Sequence, residues 1–224
     1  MRVDRMFQII ALASFAVVLT AVSAKADGGT VTVTVNTSSL SGTQTIVFGM
    51  NDGDGVADNN VALSHFSFGG GSAEGSATYL GSGISGDLSS VIAMDDSGFS
   101  ALFEQQINVG SSLSFALATT DNFAGGTPDA FAMFLCDSTV STCYSDDAVS
   151  GAMLILNLTG GTVTPSSFIL NGASDQGLPA PEVTAAVAAP EPTSLFLLGF
   201  ALVLLGLVNW ALSTGGIGKR SSLT

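Results

Sequence analysis

The densest run of side chains able to do chemistry is Asn51-Asp52-Gly53-Asp54-Gly55-Val56-Ala57-Asp58-Asn59-Asn60. Alternating carboxylates, glycines that permit a tight turn and a further Asp four residues on could wrap hard oxygen ligands around one Ca²⁺. Asp52, Asp54 and Asp58 would be those ligands. The same run also reads as a polar hairpin loop, because Asp, Asn and Gly are the residues that turns favour. Position 12 of an EF-hand loop counted from Asp52 would be Glu, and here it is Leu63.

The Asp-rich run resembles the loops of extracellular calcium-binding repeats, and that resemblance makes calcium the one cofactor expected. The two cysteines, Cys136 and Cys143, form the second constellation. Their spacing does not match a Cys-x-x-Cys redox or zinc motif, and the lone His65 offers no partner for a thiol site. In an oxidising compartment the pair forms a disulfide across a hairpin-like loop.

Enzymatic readings find little to build on. The chain has no Gly-x-Ser-x-Gly elbow, and one His is available to the whole sequence. A glycosidase needs only two carboxylates, so composition leaves that class open. Asp95-Asp96 and Asp146-Asp147 nonetheless read as turn residues, and Tyr79 and Tyr144 are few aromatics for a sugar platform. We therefore expect no catalytic residues and a non-enzymatic protein.

Charge separates the chain into parts. All five basic residues, Arg2, Arg5, Lys25, Lys219 and Arg220, lie near the two ends. The 18 acidic residues less Asp4 and Glu191 leave 16 between Asp27 and Ala189, where there is no Lys or Arg. Such a polyanion is repelled by phosphates, which excludes nucleic acid as a partner, and it attracts divalent cations.

The elements that must position these residues are strands. Val31, Val33 and Val35 alternate with Thr and Asn, and Leu113, Phe115 and Leu117 alternate with Ser114 and Ala116. Period two over several residues marks a half-buried strand. Further strands are expected at 45–50, 61–68, 88–94, 101–109, 130–136, 152–158 and, more weakly, 167–170, separated by Asn51-Asp52-Gly53, Gly69-Gly70-Gly71, Gly125-Gly126 and Gly160-Gly161. Many short strands and no convincing helix imply an all-β, jelly-roll-like antiparallel β-sandwich over residues 27–175.

Both ends read as addresses. Arg2 and Arg5, an apolar stretch and Ala24-Lys25-Ala26 form a secretory signal peptide over residues 1–26, cleaved by signal peptidase between Ala26 and Asp27. Residues 176–189, rich in Pro and Ala, read as a semi-extended linker. Residues 195–212 are apolar all round and reach ~27 Å as a helix, enough to span a bilayer, with Trp210 at the interface and Lys219-Arg220 beyond it.

Pro190-Glu191-Pro192, the apolar helix and the basic residues, in that order, resemble the PEP-CTERM sorting tail of exported Gram-negative proteins. The resemblance implies recognition and processing of residues 190–224 by an exosortase. It also implies an inner-membrane-anchored intermediate followed by a place at the cell surface or in the extracellular, polysaccharide-rich matrix. Asn36-Thr37-Ser38-Ser39-Leu40-Ser41-Gly42, Ser85-Gly86-Asp87-Leu88, Gly110-Ser111-Ser112-Leu113-Ser114-Phe115 and Pro128-Asp129-Ala130-Phe131 are similar to a group of such proteins whose β-domain has no known function. The expected role is structural or adhesive in that matrix, and the alternative is a calcium-supported carbohydrate-binding module.

Overall fold

In the computed structural model, residues 27–186 are described, and they form twelve strands with only two short 3₁₀ turns. The strands are β1 (Asp27–Asn36), β2 (Thr43–Asn51), β3 (Asn60–Ser67), β4 (Ser72–Leu80), β5 (Ile84–Ser85) and β6 (Ile92–Asp95). They continue as β7 (Ser100–Asn108), β8 (Ser112–Thr120), β9 (Asp129–Asp137), β10 (Leu154–Leu158), β11 (Phe168–Leu170) and β12 (Glu182–Ala185). One sheet runs β12-β1-β8-β3-β6-β5 and the other β11-β10-β9-β2-β7-β4, with every pairing antiparallel. The chain is thus an all-β sandwich of two antiparallel sheets, as the alternation predicts.

The alternating residues are what join the sheets. Val31, Val33 and Val35 of β1 and Leu113, Phe115 and Leu117 of β8 are buried, and they meet Ile46, Phe48 and Met50 of β2 and Phe103 of β7. Phe48 is the hub. Its ring lies 5.4 Å from that of Phe115 in the opposite sheet, edge-on, 5.9 Å from Phe103 and 6.0 Å from Phe131. Each such buried phenyl contributes about 1.5–3 kcal/mol by removal from water, with a further ~1 kcal/mol for a well-oriented aromatic pair.

The sequence expectation needs correcting at three places. Expected strand 88–94 begins only at Ile92, because residues 87–90 form a turn in which Asp87 accepts bonds from Ser89 and Ser90. Strand β4 was not expected, and it pairs with β7 across a bulge between Glu74 and Thr78. Residues 182–185, placed in a linker starting at 176, instead form edge strand β12, with Val183 opposite Val33 of β1. The sandwich therefore extends past residue 175. The signal peptide and its cleavage site after Ala26, the Pro190-Glu191-Pro192 motif and the helix at 195–212 lie outside the described residues.

Ladder register decides what gathers at one end of the sandwich. Asn51 at the end of β2 lies opposite Ser100, which opens β7, and opposite Ala130 near the start of β9. In the other sheet, Asn60 at the start of β3 faces Asp95 at the end of β6, and Val61 faces Thr119 near the end of β8. The β2–β3, β6–β7 and β8–β9 connections consequently emerge together.

Candidate metal centre at one end of the sandwich

Residues 52–59, 96–99 and 121–128 make up these three connections. Within the first, Asp52 Oδ1 accepts the Gly55 N–H at 2.6 Å, and Asp54 Oδ1 accepts the Val56 N–H at 2.9 Å. These are the short-range side-chain turns that Asp favours. The other oxygen of Asp54 accepts the Ala124 N–H at 3.2 Å, tying the first connection to the third.

Asp129, the first residue of β9, anchors the arrangement. It is 1% exposed, and its Oδ1 accepts the N–H groups of Gly53 (2.7 Å) and Asp54 (3.3 Å). Its Oδ2 accepts the Asn59 side-chain amide at 2.7 Å. Gly53 is required for this approach, since a Cβ there would sit 2.3 Å from the Pro128 carbonyl oxygen.

Asn59, also buried, is the knot between connections. Its Nδ2 donates to the Asn122 carbonyl at 2.8 Å as well as to Asp129. Its Oδ1 accepts the Asn122 N–H at 2.8 Å and the Thr120 hydroxyl at 3.3 Å. Asn122 returns a bond from its own Nδ2 to the Asp58 carbonyl at 2.7 Å. Asp96, 2% exposed, supports the same segment from the β6–β7 side, its Oδ2 accepting the N–H groups of Asn59 (2.9 Å) and Asp58 (3.3 Å).

Two carboxylate groups result, each with oxygens within 4.8 Å of one another: Asp52, Asp54 and Asp129, and Asp58, Asp96 and Asp129. The structure therefore divides the three residues expected to act together and inserts Asp129 between them. A cavity of about 280 Å³ opens beside the second group, lined by Ala57, Asp58, Asn59, Asn60, Asp95, Asp96 and Ser97.

The electrostatics follow from burial and donor count. Burial pushes Asp96 up to about 6, against its backbone donors and with a further push from Asp129. Asp58 is also raised, by burial first and then by the carboxylates of Asp54, Asp129 and Asp52. Burial works to raise Asp129 too, but the Asn59 amide and the Gly53 and Asp54 N–H groups outweigh it and hold its carboxyl below the usual carboxylate range. No Lys or Arg occurs in the sandwich to share this charge.

The remaining candidates sit apart. His65 is exposed in a left-handed conformation (φ 56°) at the bulge in β3, its Nδ1 3.0 Å from the Ser64 hydroxyl. Cys136 and Cys143 are joined in a disulfide. Asp137 organises that loop by accepting bonds from Thr139 and Ser141, which hold its carboxyl well below the usual range. Asp147 accepts bonds from Val149 and Ser150 and is a turn residue, as is Asp95, which accepts the Ser97 N–H, whereas Asp146 accepts the backbone N–H and hydroxyl of the distant Ser174. Asp96 is not a turn residue, because its side chain is turned inward onto the Asp58–Asn59 backbone.

Asn59, Asp96 and Asp129 are the residues that local sequence reasoning missed. The one available signal was position, since Asp96 and Asp129 stand at strand ends beside turn-forming residues. No protein family, characterised protein or solved structure matches this chain.

Proposed function

We propose that this is an exported, exosortase-processed protein of the cell surface or extracellular matrix, with a structural or adhesive rather than enzymatic role. The observation that carries the exported half of this reading is the Cys136–Cys143 disulfide, a bond that persists in oxidising compartments. The sandwich itself adds support, since its first eight strands interleave as β1-β8-β3-β6-β5 in one sheet and β2-β7-β4 in the other. That winding favours a jelly roll, an architecture common in extracellular binding and shell-forming proteins.

The address rests on the Pro190-Glu191-Pro192 tail and the signal peptide. Its partners are signal peptidase, the exosortase, and the membrane through residues 195–212. Intact-mass measurement of the protein recovered from its producer tests it. A mass lacking residues 1–26 and the segment after the tripeptide is expected, and a mature form retaining residues 195–224 refutes the processing step.

The acidic end with its adjoining cavity favours a second reading, a calcium-supported module that binds extracellular polysaccharide. Glycan-array binding with and without Ca²⁺ separates the two. Calcium-dependent retention of a glycan supports the second reading, and no retention leaves the structural one.

A further inference from the structure

We infer that the outer face of the β4–β7–β2 ladder carries a binding site for a saccharide unit bearing a free, protonated amine, built from Thr45, Glu74, Ser76, Thr78, Glu104 and Gln106. The inference depends neither on processing of the tail nor on a metal at the acidic end.

Register gathers these residues. Glu74 of β4 lies opposite Gln106 of β7, which in turn lies opposite Thr45 of β2, and Thr78 lies opposite Glu104. Between those two pairs of the β4–β7 ladder, Gly75, Ser76 and Ala77 stand against Gln105 alone. The bulge is pinned from the core. Gln105 is 6% exposed; its Oε1 accepts the Leu88 N–H at 2.9 Å, and its Nε2 donates to the Gly75 carbonyl at 3.1 Å. Gly75 takes the left-handed conformation that the bulge needs (φ 65°). The other wall is the disulfide loop, whose Ser138 carbonyl accepts the Gln106 amide at 3.2 Å. A cavity of about 300 Å³ lies between them, at the small end of the range for ligand sites.

The cavity holds a polar group with nothing to bond. Thr45 lines it, is 4% exposed, and its Oγ1 has no hydrogen-bond partner. Its neighbour Ile46 belongs to the core, so strand alternation turns Thr45 toward the outer face. A buried hydroxyl without a partner is costly, and a ligand that bonds it removes that cost.

The lining selects the ligand. Glu74 and Glu104 bring two carboxylates, and with no Lys or Arg between residues 27 and 189 neither has such a cation beside it in the sandwich. The field of the polyanion draws cations in and repels uronates and phosphates. A primary ammonium supplies three N–H donors, and each bond it makes to a carboxylate is charge-assisted. The hydroxyls of Thr45, Ser76 and Thr78 and the Gln106 amide match ring hydroxyls on the molecule that carries the amine. Val140 is the one branched aliphatic side chain in the lining, too little to cover the stem of a lysine. No aromatic ring lines the cavity, so a quaternary ammonium has no cage there.

The test is calorimetric titration of the protein recovered from its producer with glucosamine oligomers, in EGTA, at about pH 6, where the sugar amine holds its proton, and about 0.15 M salt. Saturable binding with Kd at or below about 10⁻³ M is expected, with N-acetylglucosamine and glucose oligomers about tenfold weaker or worse. Because EGTA is present, this result is separate from that of the calcium-supported reading. Glu104→Gln keeps the shape and should weaken binding by about tenfold, and Thr45→Val by about fivefold, each with an unchanged thermal midpoint. Asp58→Asn should leave binding as it is. No saturation at about 20 mM sugar, equal binding of the N-acetylated oligomer, or binding that survives Glu104→Gln would overturn the site. Spermidine or a lysine peptide binding as tightly as the glucosamine oligomer would overturn it too, marking general cation attraction.

Discussion

Replacing Asn59 by Ala tests whether a single buried amide holds the three connections together. Asn59 makes four hydrogen bonds, two to the backbone of Asn122, one to the Asp129 carboxylate and a longer one from Thr120. Neutral hydrogen bonds contribute about 1 kcal/mol each and those to a buried charge about 2 kcal/mol. The Thr120 bond at 3.3 Å adds little, so the loss should be about 4 kcal/mol. Whole-domain stabilities are ~5–15 kcal/mol, so the variant should still fold. Urea denaturation followed by tryptophan-independent far-ultraviolet dichroism measures it, and the midpoint should fall with the slope unchanged. For a domain of this size the thermal midpoint should drop by ~8–16 °C. Asn59→Asp provides the sharper comparison, since it sets a carboxylate oxygen where a donor faced Asp129. In EGTA it should lose at least as much as Asn59→Ala. A loss below about 1 kcal/mol in Asn59→Ala would refute the reasoning, because the connections would then be held by something other than this amide.

Three further outcomes are expected. Phe48→Ala, which empties the space between Phe103, Phe115 and Phe131, should cost about 3–5 kcal/mol in the same assay. Breaking the Cys136–Cys143 bond, at a sequence separation of 7, should cost about 2.5 kcal/mol, measured by denaturation of the Cys136→Ser/Cys143→Ser variant against wild type. Without cations, the folded protein holds the Asp96 proton to about 6 while the unfolded chain releases it near 3.8, so between those values the folded state binds more protons. Stability in EGTA should therefore fall as pH rises from about 4 through 6, by up to ~3 kcal/mol from this group, with Asp58 and Asp121 acting in the same direction. Thermal midpoints at pH 4.5 and 7.5 measure the decline, and an Asp96→Asn variant showing the same decline would remove Asp96 as its source.

Much of the fold was legible because a strand buried on one face writes its period into neighbouring residues. Val31, Val33 and Val35, or Leu113, Phe115 and Leu117, carry their own evidence. Strand β4, Ser-Ala-Glu-Gly-Ser-Ala-Thr-Tyr-Leu, carries none, because an edge strand with no fully buried side chain needs no apolar row. It is a strand because β7 offers it a ladder. Strand β12 escaped notice for a related reason: its Pro- and Ala-rich surroundings describe a spacer, and only the open edge of β1 makes Glu182–Ala185 a strand.

The acidic end divides in the same way. By itself the sequence determined that a turn-rich, acidic segment lies at 51–60, that no basic side chain in the sandwich can neutralise it, and that the two cysteines pair. Those are facts of composition and short spacing. Which carboxylates share a site was decided only by tertiary structure. Asn59 and Asp129 are 70 residues apart and Asn59 and Asp96 are 37 apart, separations across which no local pattern operates. Antiparallel register brings β2, β6 and β8 to a common end, where Asp58 Oδ1 is left without a donor while Asp52, Asp54 and Asp96 keep theirs. Desolvation depends on what packs around a group, so Asp96, which burial pushes up, looked in the sequence like any other turn aspartate.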